Sequence, residues 1–405
     1  MFIARQPIFK TNLEVYGYEL LFRSGSQSSA FDGTSALTAT ASVLGGLFES
    51  GIDQIVDDKR AFINFDAELI KADMIELIGS SRLVVEVLED VEVDEALIER
   101  IRTLKQEGYK IALDDFVESY DAYPLVPYAD IIKYDLMLTP LETIKPMVIK
   151  ALAHNKILLA EKVETEAVYL QAKEMGFTLF QGYFFSKPSI VGKSNSKSTT
   201  KTQYGRIISE LKKEEPSYQV LAEIIENDVN LAYRLMRVIS TRSGDDLIYS
   251  IKRALTYMGL KEIERWINIL MIQEMSGKKP KELMMLSLIR TKFAEAIALF
   301  GNLKKIKYEA SMMGLFSAVD AMLDQNMTEA LADISLPNSV KDSLMQHEGV
   351  LMPVLNLIYA YEKADFDKVA QISAELNLDE KTLTDAYFES IKWAQETVKM
   401  MTLSC

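Results

Sequence analysis

Cysteine is nearly absent from this chain: Cys405, the last of 405 residues, is the only one. An internal disulfide is therefore excluded, and a cytoplasmic location is expected. Histidine is almost as scarce, with His154 and His347 alone, so a metal centre built on several histidines lacks its ligands. No apolar run approaches the roughly 18 residues that cross a bilayer. The start, MFIARQPIFKTN, lacks the apolar stretch and small-residue cleavage site of a secretory signal. Basic charge is outweighed, 45 Lys and Arg against 59 Asp and Glu, for a net charge of −14. That balance argues against nucleic-acid backbones as partners. It leaves room for a small phosphodiester whose charge is neutralised locally by metal ions. No repeat of fixed period is present, and the length suffices for two domains with separate cores.

What the first half does contain is a series of short apolar runs, each ending in a carboxylate or carboxamide. They are YGYELLFR (Glu19), AFINFD (Asn64), LVVEVLED (Glu86), KIALDDF (Asp114, Asp115), KILLAEKVE (Glu161) and FTLFQGYF (Gln181). A further run, DIIKYDLM, puts Lys133 and Asp135 in the same register. Strands rich in Val, Ile and Leu are those of a parallel sheet covered on both faces. In such folds ligands gather at the carboxyl ends of the strands. Taken alone, Asp114–Asp115 reads as a helix cap or turn, and Asn64 as a turn residue. Repeated on strand after strand, the same placement points to hard oxygen ligands for Mg²⁺ or Mn²⁺.

Helical stretches alternate with these strands at 34–50, 92–108, 141–154 and 165–175, which predicts a parallel sheet or barrel. A domain of about 190 residues is short for an eight-fold barrel of about 250, so short connections and an incomplete barrel are expected. The polar run VGKSNSKSTTKTQ, residues 191–203, reads as a linker. From 204 to 405 apolar residues recur at helical spacing, and strand signals nearly vanish. The expected organisation is a barrel domain over 1–190, the linker, and an all-α domain over 204–405.

ELLFR, FINFD, EVLE, LDDF, KYD, AEKVE and FQGY, in that order, resemble the motif set of EAL domains, cyclic di-GMP phosphodiesterases or inactive relatives on a modified TIM-like barrel. FIARQPIF followed by YELLFR is similar to the subgroup joined to a C-terminal HDOD domain. NDVNLAYRLMRVIS, SIKRALTYMGLKEIERW and SMMGLFSAVDAML resemble that helical domain, which shares the scaffold of HD phosphohydrolases without their metal ligands.

The resemblance implies that Glu19, Asn64, Glu86 and Asp114 hold a first Mg²⁺ or Mn²⁺, and that Asp114 bridges to a second ion which Asp115 also contacts. Glu161 becomes the general base or a partner of the second ion, and Lys133 positions the attacking water. Gln181 bonds the shell of metal waters, Arg23 grips the ligand, and Glu89 braces the loop carrying Asp114 and Asp115. The chain departs from the family at Val117 and Pro124 in DDFVESYDAYPL, at Lys162 where a glycine is usual, and in lacking an arginine after KYD. The implied partners are cyclic di-GMP, a protein docking on the helical half, and a second copy of the chain through the loop after Asp115; a membrane and nucleic acid are not expected. Three functions remain open: a phosphodiesterase giving linear pGpG, a receptor that binds without turnover, and a scaffold.

Overall fold

The structure, a computed structural model, describes residues 2–23, 52–72, 75–118, 120–182, 199–242, 250–276, 281–332, 334 and 336–402. Eight strands close into a barrel: β1 (Phe2–Lys10), β2 (Val15–Arg23), β3 (Arg60–Phe65), β4 (Leu83–Val87), β5 (Lys110–Leu113), β6 (Ile131–Asp135), β7 (Ile157–Glu161) and β8 (Leu179–Phe180). From β2 to β8 every neighbour is parallel. β1 is antiparallel to both β2 and β8. The expectation of an incomplete barrel is thus overturned. A hairpin needs only a short turn, whereas a parallel crossover takes a dozen or more residues. Supplying one strand as a hairpin lets a short domain close the ring. Pro7 is tolerated within β1 because, among the described residues, the strand pairs with β8 at Phe9 and Lys10 and leaves one side of Pro7 outside a ladder.

On the barrel flank lie α1 (Asp53–Val56), α2 (Ala67–Lys71), α3 (Glu95–Gln106), α4 (Leu141–Ala153) and α5 (Glu166–Met175). Asp66, Asp94 and Thr165 cap α2, α3 and α5 by accepting the amide hydrogens of Leu69, Leu97 and Val168. The Asp94 cap explains why α3 begins later than its apolar pattern suggests. The helix expected at 34–50 lies outside the described residues.

The helical half comprises α6 (Thr199–Leu211), α7 (Tyr218–Glu226), α8 (Val229–Arg242), α9 (Ile251–Met258), α10 (Leu260–Ser276), α11 (Lys281–Phe300), α12 (Lys307–Phe316), α13 (Val319–Leu323), α14 (Met327–Leu331), α15 (Asn338–Lys341), α16 (Met352–Glu362), α17 (Phe366–Glu375) and α18 (Glu380–Thr402). The end of the expected linker is already helix, because buried Tyr204 and Ile207 anchor α6 in a core. That core joins Leu221, Leu235, Leu255 and Ile267. A second core, around Phe293, Phe316, Tyr361 and Tyr387, runs without a break into the outer layer of the barrel through Phe2, Ile3 and Ala4. Phe2 stacks on Phe366 with ring centroids 5.7 Å apart and meets the Tyr361 ring edge-on at 6.1 Å. Among the described residues no helix is long and apolar enough to cross a membrane.

Candidate active site

The barrel interior is built in two layers, set by the two-residue period of a strand. The lower layer is an apolar plug of Ile8, Phe62, Val84, Ala112, Ile131, Leu159 and Leu179. Two residues further toward the carboxyl end, the same inward positions carry Asn64, Glu86, Asp114, Lys133, Glu161 and Gln181. On β2 the lower position is Gly17, and a Cβ there would lie 2.8 Å from both the Phe62 ring and the Arg60 carbonyl. Glycine makes room for the plug, and Glu19 joins the upper layer above it.

At the centre of that layer stands the fully buried Lys133 ammonium. Its Nζ lies 2.7 Å from Asp114, 2.8 Å from Glu86, 2.9 Å from Glu161 and 3.4 Å from Glu19. Burial alone would depress the lysine, but Glu161, Glu19, Glu86 and Asp114 together outweigh it and hold the ammonium well above its ordinary range. The carboxylates feel the opposite stress. Burial pushes Glu86 well above its usual range, and pushes Glu161 up to about 8, although Lys133 offsets part of each shift. Asp115 is raised by burial and then by Asp114.

Four buried or half-buried carboxylates thus share one ammonium, with Asp115 beside them. Glu86 Oε2 and Asn64 Oδ1 are buried and accept no hydrogen bond from the described residues. Orphaned acceptors amid excess negative charge fit a hard divalent cation, which takes oxygen ligands. Ligand atoms of Asp114, Asp115 and Glu161 also lie within 4.8 Å of one another. Glu161 is therefore grouped with the aspartates, as a partner of the second position would be.

The remaining expected residues divide. Gln181 is buried, and its Nε2 donates to Glu19 Oε2 at 2.7 Å and to Gln6 Oε1 at 2.9 Å. Gly182 follows it because a Cβ there would sit 2.3 Å from the Val163 backbone nitrogen. Glu89 is exposed, with its charge reaching Asp115. Arg23 ends β2, and its side chain lies outside the described set. Asp135 instead caps the turn after β6, accepting the amide hydrogens of Met137 and Leu138 and the Lys162 ammonium.

The family departures have local accounts. Val117 does not have a positive φ, whereas Asp115 does, at 38°; aspartate is among the residues that tolerate this region. Lys162, in the place of a glycine, adopts φ 51° and pairs with Asp135.

A cleft of about 710 Å³ opens above these residues, well within the size of ligand pockets. One wall is the barrel, with Glu19, Asn64, Asp114, Glu161 and Gln181. The other is helical, with Ile289, Arg290 and Tyr359 among its residues. Gln6 and this helical wall were not among the expected site residues. Gln6 stands in the quoted FIARQPIF, but β1 runs against the other strands, so its polar residue precedes the apolar one. The wall arises from tertiary packing and has no signal in local sequence.

A family model for the EAL domain matches residues 2–188, and one for the HDOD domain matches 199–332. The protein YuxH of Bacillus subtilis (strain 168) is 33% identical over 408 residues, covering 97% of this chain and 98% of its own. The cyclic di-GMP phosphodiesterase CdgJ of Vibrio cholerae serotype O1 is 33% identical over 405 residues, covering 99% of this chain and 94% of its own. Among solved structures, the Bacillus subtilis YkuI protein, with an EAL domain and in complex with c-di-GMP and calcium, overlaps 60% of this chain and 69% of its own. That overlap has a TM-score of 0.38 and 21% identity. On the full-length relatives and the two ordered domain matches, this chain belongs to the family in which an EAL domain is followed by an HDOD domain.

Proposed function

We propose that the chain is a phosphodiesterase that opens cyclic di-GMP to linear pGpG with Mg²⁺ or Mn²⁺. The observation that carries this is the convergence of Glu19, Glu86, Asp114 and Glu161 on Lys133 at the floor of a nucleotide-sized cleft. The full-length likeness to CdgJ supports the substrate. Glu19, Asn64, Glu86 and Asp114 would hold one ion, and Asp114, Asp115 and Glu161 a second. When bound, the two ions neutralise the phosphate and acidify the attacking water.

The side chains then have distinct tasks. Lys133 is held protonated by its neighbours, so it acts as a donor and orients the water for in-line attack on phosphorus. Glu161, in its ionised form, is the group placed to accept a proton from that water. The new P–O bond forms as the P–O3′ bond breaks, and the departing 3′ oxygen takes up a proton. Gln181 orients Glu19, Arg23 would grip the ligand, and Glu89 would steady the loop of Asp114 and Asp115. The helical half would regulate this centre or recruit a protein partner.

Incubation with cyclic di-GMP and Mn²⁺ or Mg²⁺, followed by chromatography, should yield pGpG. Glu161→Ala or Lys133→Ala should abolish product while retaining nucleotide binding. The receptor function is favoured by one observation, that helices α11 and α16 line this cleft together with the barrel. Tight binding by the unmutated protein with no product under either ion would establish that function instead.

A further inference from the structure

The metal ligand Glu19 is tied to the helical half by three consecutive hydrogen bonds. Gln181 Nε2 donates to Glu19 Oε2 at 2.7 Å and to Gln6 Oε1 at 2.9 Å, and Gln6 Nε2 donates to the backbone carbonyl of Glu362 at 3.2 Å. That carbonyl is the last of α16, one of the terminal carbonyls that a helix cannot bond within itself. Gln6 therefore has two roles at once: it caps a helix of one domain and braces the ligand shell of the other.

The helix end is itself fixed. Arg290 on α11 grips the Glu362 carboxylate through two bonds, Nε to Oε1 at 2.7 Å and Nη2 to Oε2 at 2.6 Å. Its Nη1 also reaches Ser317 Oγ at 3.1 Å. Beside this route runs a second seam, in which Tyr18, next to Glu19 on β2, donates to Glu282 of α11 at 3.0 Å. Arg5 lies 3.9 Å from the same carboxylate and 4.2 Å above the Tyr18 ring. Both seams end on residues adjacent to, or bonded to, the metal shell.

We infer that Gln6 is a positioning residue through which docked helix α16 sets the orientation of Glu19, so that the metal affinity of the barrel depends on the helical half. This rests on the assignment of Glu19 as a metal ligand. Partners bonded directly to a ligand, as Gln181 is to Glu19, commonly alter metal affinity by about 10–100-fold, and Gln6 holds that partner in place. A carboxylate whose outer oxygen is held by a fixed amide has less freedom to lose on binding an ion.

The test is a titration of the full-length protein with Mn²⁺, read by calorimetry, together with melting of the metal-free form. Gln6→Met keeps the volume and removes both hydrogen bonds; it should weaken Mn²⁺ binding by up to about tenfold, with the metal-free protein still melting cooperatively. Arg290→Met acts only from the helical side and should weaken Mn²⁺ binding several-fold. Unaltered Mn²⁺ affinity in folded Gln6→Met would overturn the inference. A loss in Gln6→Met with none in folded Arg290→Met would confine the effect to the barrel and overturn the dependence on the helical half. Absence of hydrolysis in the unmutated protein would strike the catalytic proposal alone, because the readout here is ion binding.

Discussion

The helical half contains two lobes of similar chemistry and opposite allegiance. Helices α6–α10 bury Leu221, Leu235, Leu255 and Ile267 in a core of their own, although α10 also gives Ile269 and Ile272 to the other core. Helices α11–α18 bury Phe293, Tyr361 and Tyr387 in a core that continues into the barrel through Phe2 and Ile3. The polar break at 191–203 and the family boundary near residue 199 suggest that the chain divides there. The packing divides elsewhere, because burial follows apolar surface and not the position of a linker. Cooperativity should follow the cores, with the barrel and α11–α18 melting as one body and α6–α9 as another, and with α10 shared between them.

The largest expected effect comes from cutting between them. A fragment of residues 1–190 exposes Phe2, Ile3 and the barrel flank, and should show no cooperative melt by circular dichroism; a native-like melt would break the comparison. Next is Tyr361→Ala in the shared core, where the ring lies 4.6 Å from Tyr387 and 5.2 Å from Phe293. It should cost about 3–5 kcal/mol and lower the transition that Mn²⁺ raises. Leu235→Ala, in the separate core, should cost about 2–5 kcal/mol. In that variant the Mn²⁺-dependent transition should stay in place, and calorimetry resolving two transitions would separate the cases.

A pH series sharpens the same division. Glu161 titrates near 8 in the folded, metal-free chain, above its ordinary value. The folded state therefore binds its proton more tightly than the unfolded state does. Its contribution is fully present below the ordinary carboxylate range and is lost as pH rises toward about 8, by a few kcal/mol at most. The metal-free melt of the barrel body should fall across that window, while the stabilisation by Mn²⁺ grows because protons no longer compete. A pH-independent Mn²⁺ shift would sever Glu161 from the ion. The smallest effect is Tyr18→Phe, which removes one bond across the seam to Glu282 and should lower the melt by about 1 kcal/mol. No change would show that this hydrogen bond adds nothing to the seam beyond packing and the Arg5–Glu282 pair.

Much of the floor of the site was legible in the sequence, because a parallel strand shows its inward residues two apart and its polar end last. Glu19, Asn64, Glu86, Asp114, Lys133, Glu161 and Gln181 all follow that grammar. Gln6 escaped it since β1 runs the other way, and Pro7 beside it interrupts the pattern of a strand. The closing of the barrel was missed for the same reason. Arg290, Glu362 and Tyr359 gave no signal, as each sits on a helix whose local pattern says only that one face is buried. Which neighbour buries it is decided by residues far away in the chain.

Lys133 also bears on the order in which the protein matures. Small zinc domains stay unfolded until their ion arrives, because the ion's binding energy supplies much of their folding free energy. Here an ammonium carried by the chain itself already sits among Asp114, Glu86, Glu161 and Glu19. It acts as a resident counterion, so the barrel should fold without waiting for a cation to neutralise these carboxylates. Chelation should accordingly leave the fold standing, so that the carboxylates of this centre meet any cation only after the chain around them is complete.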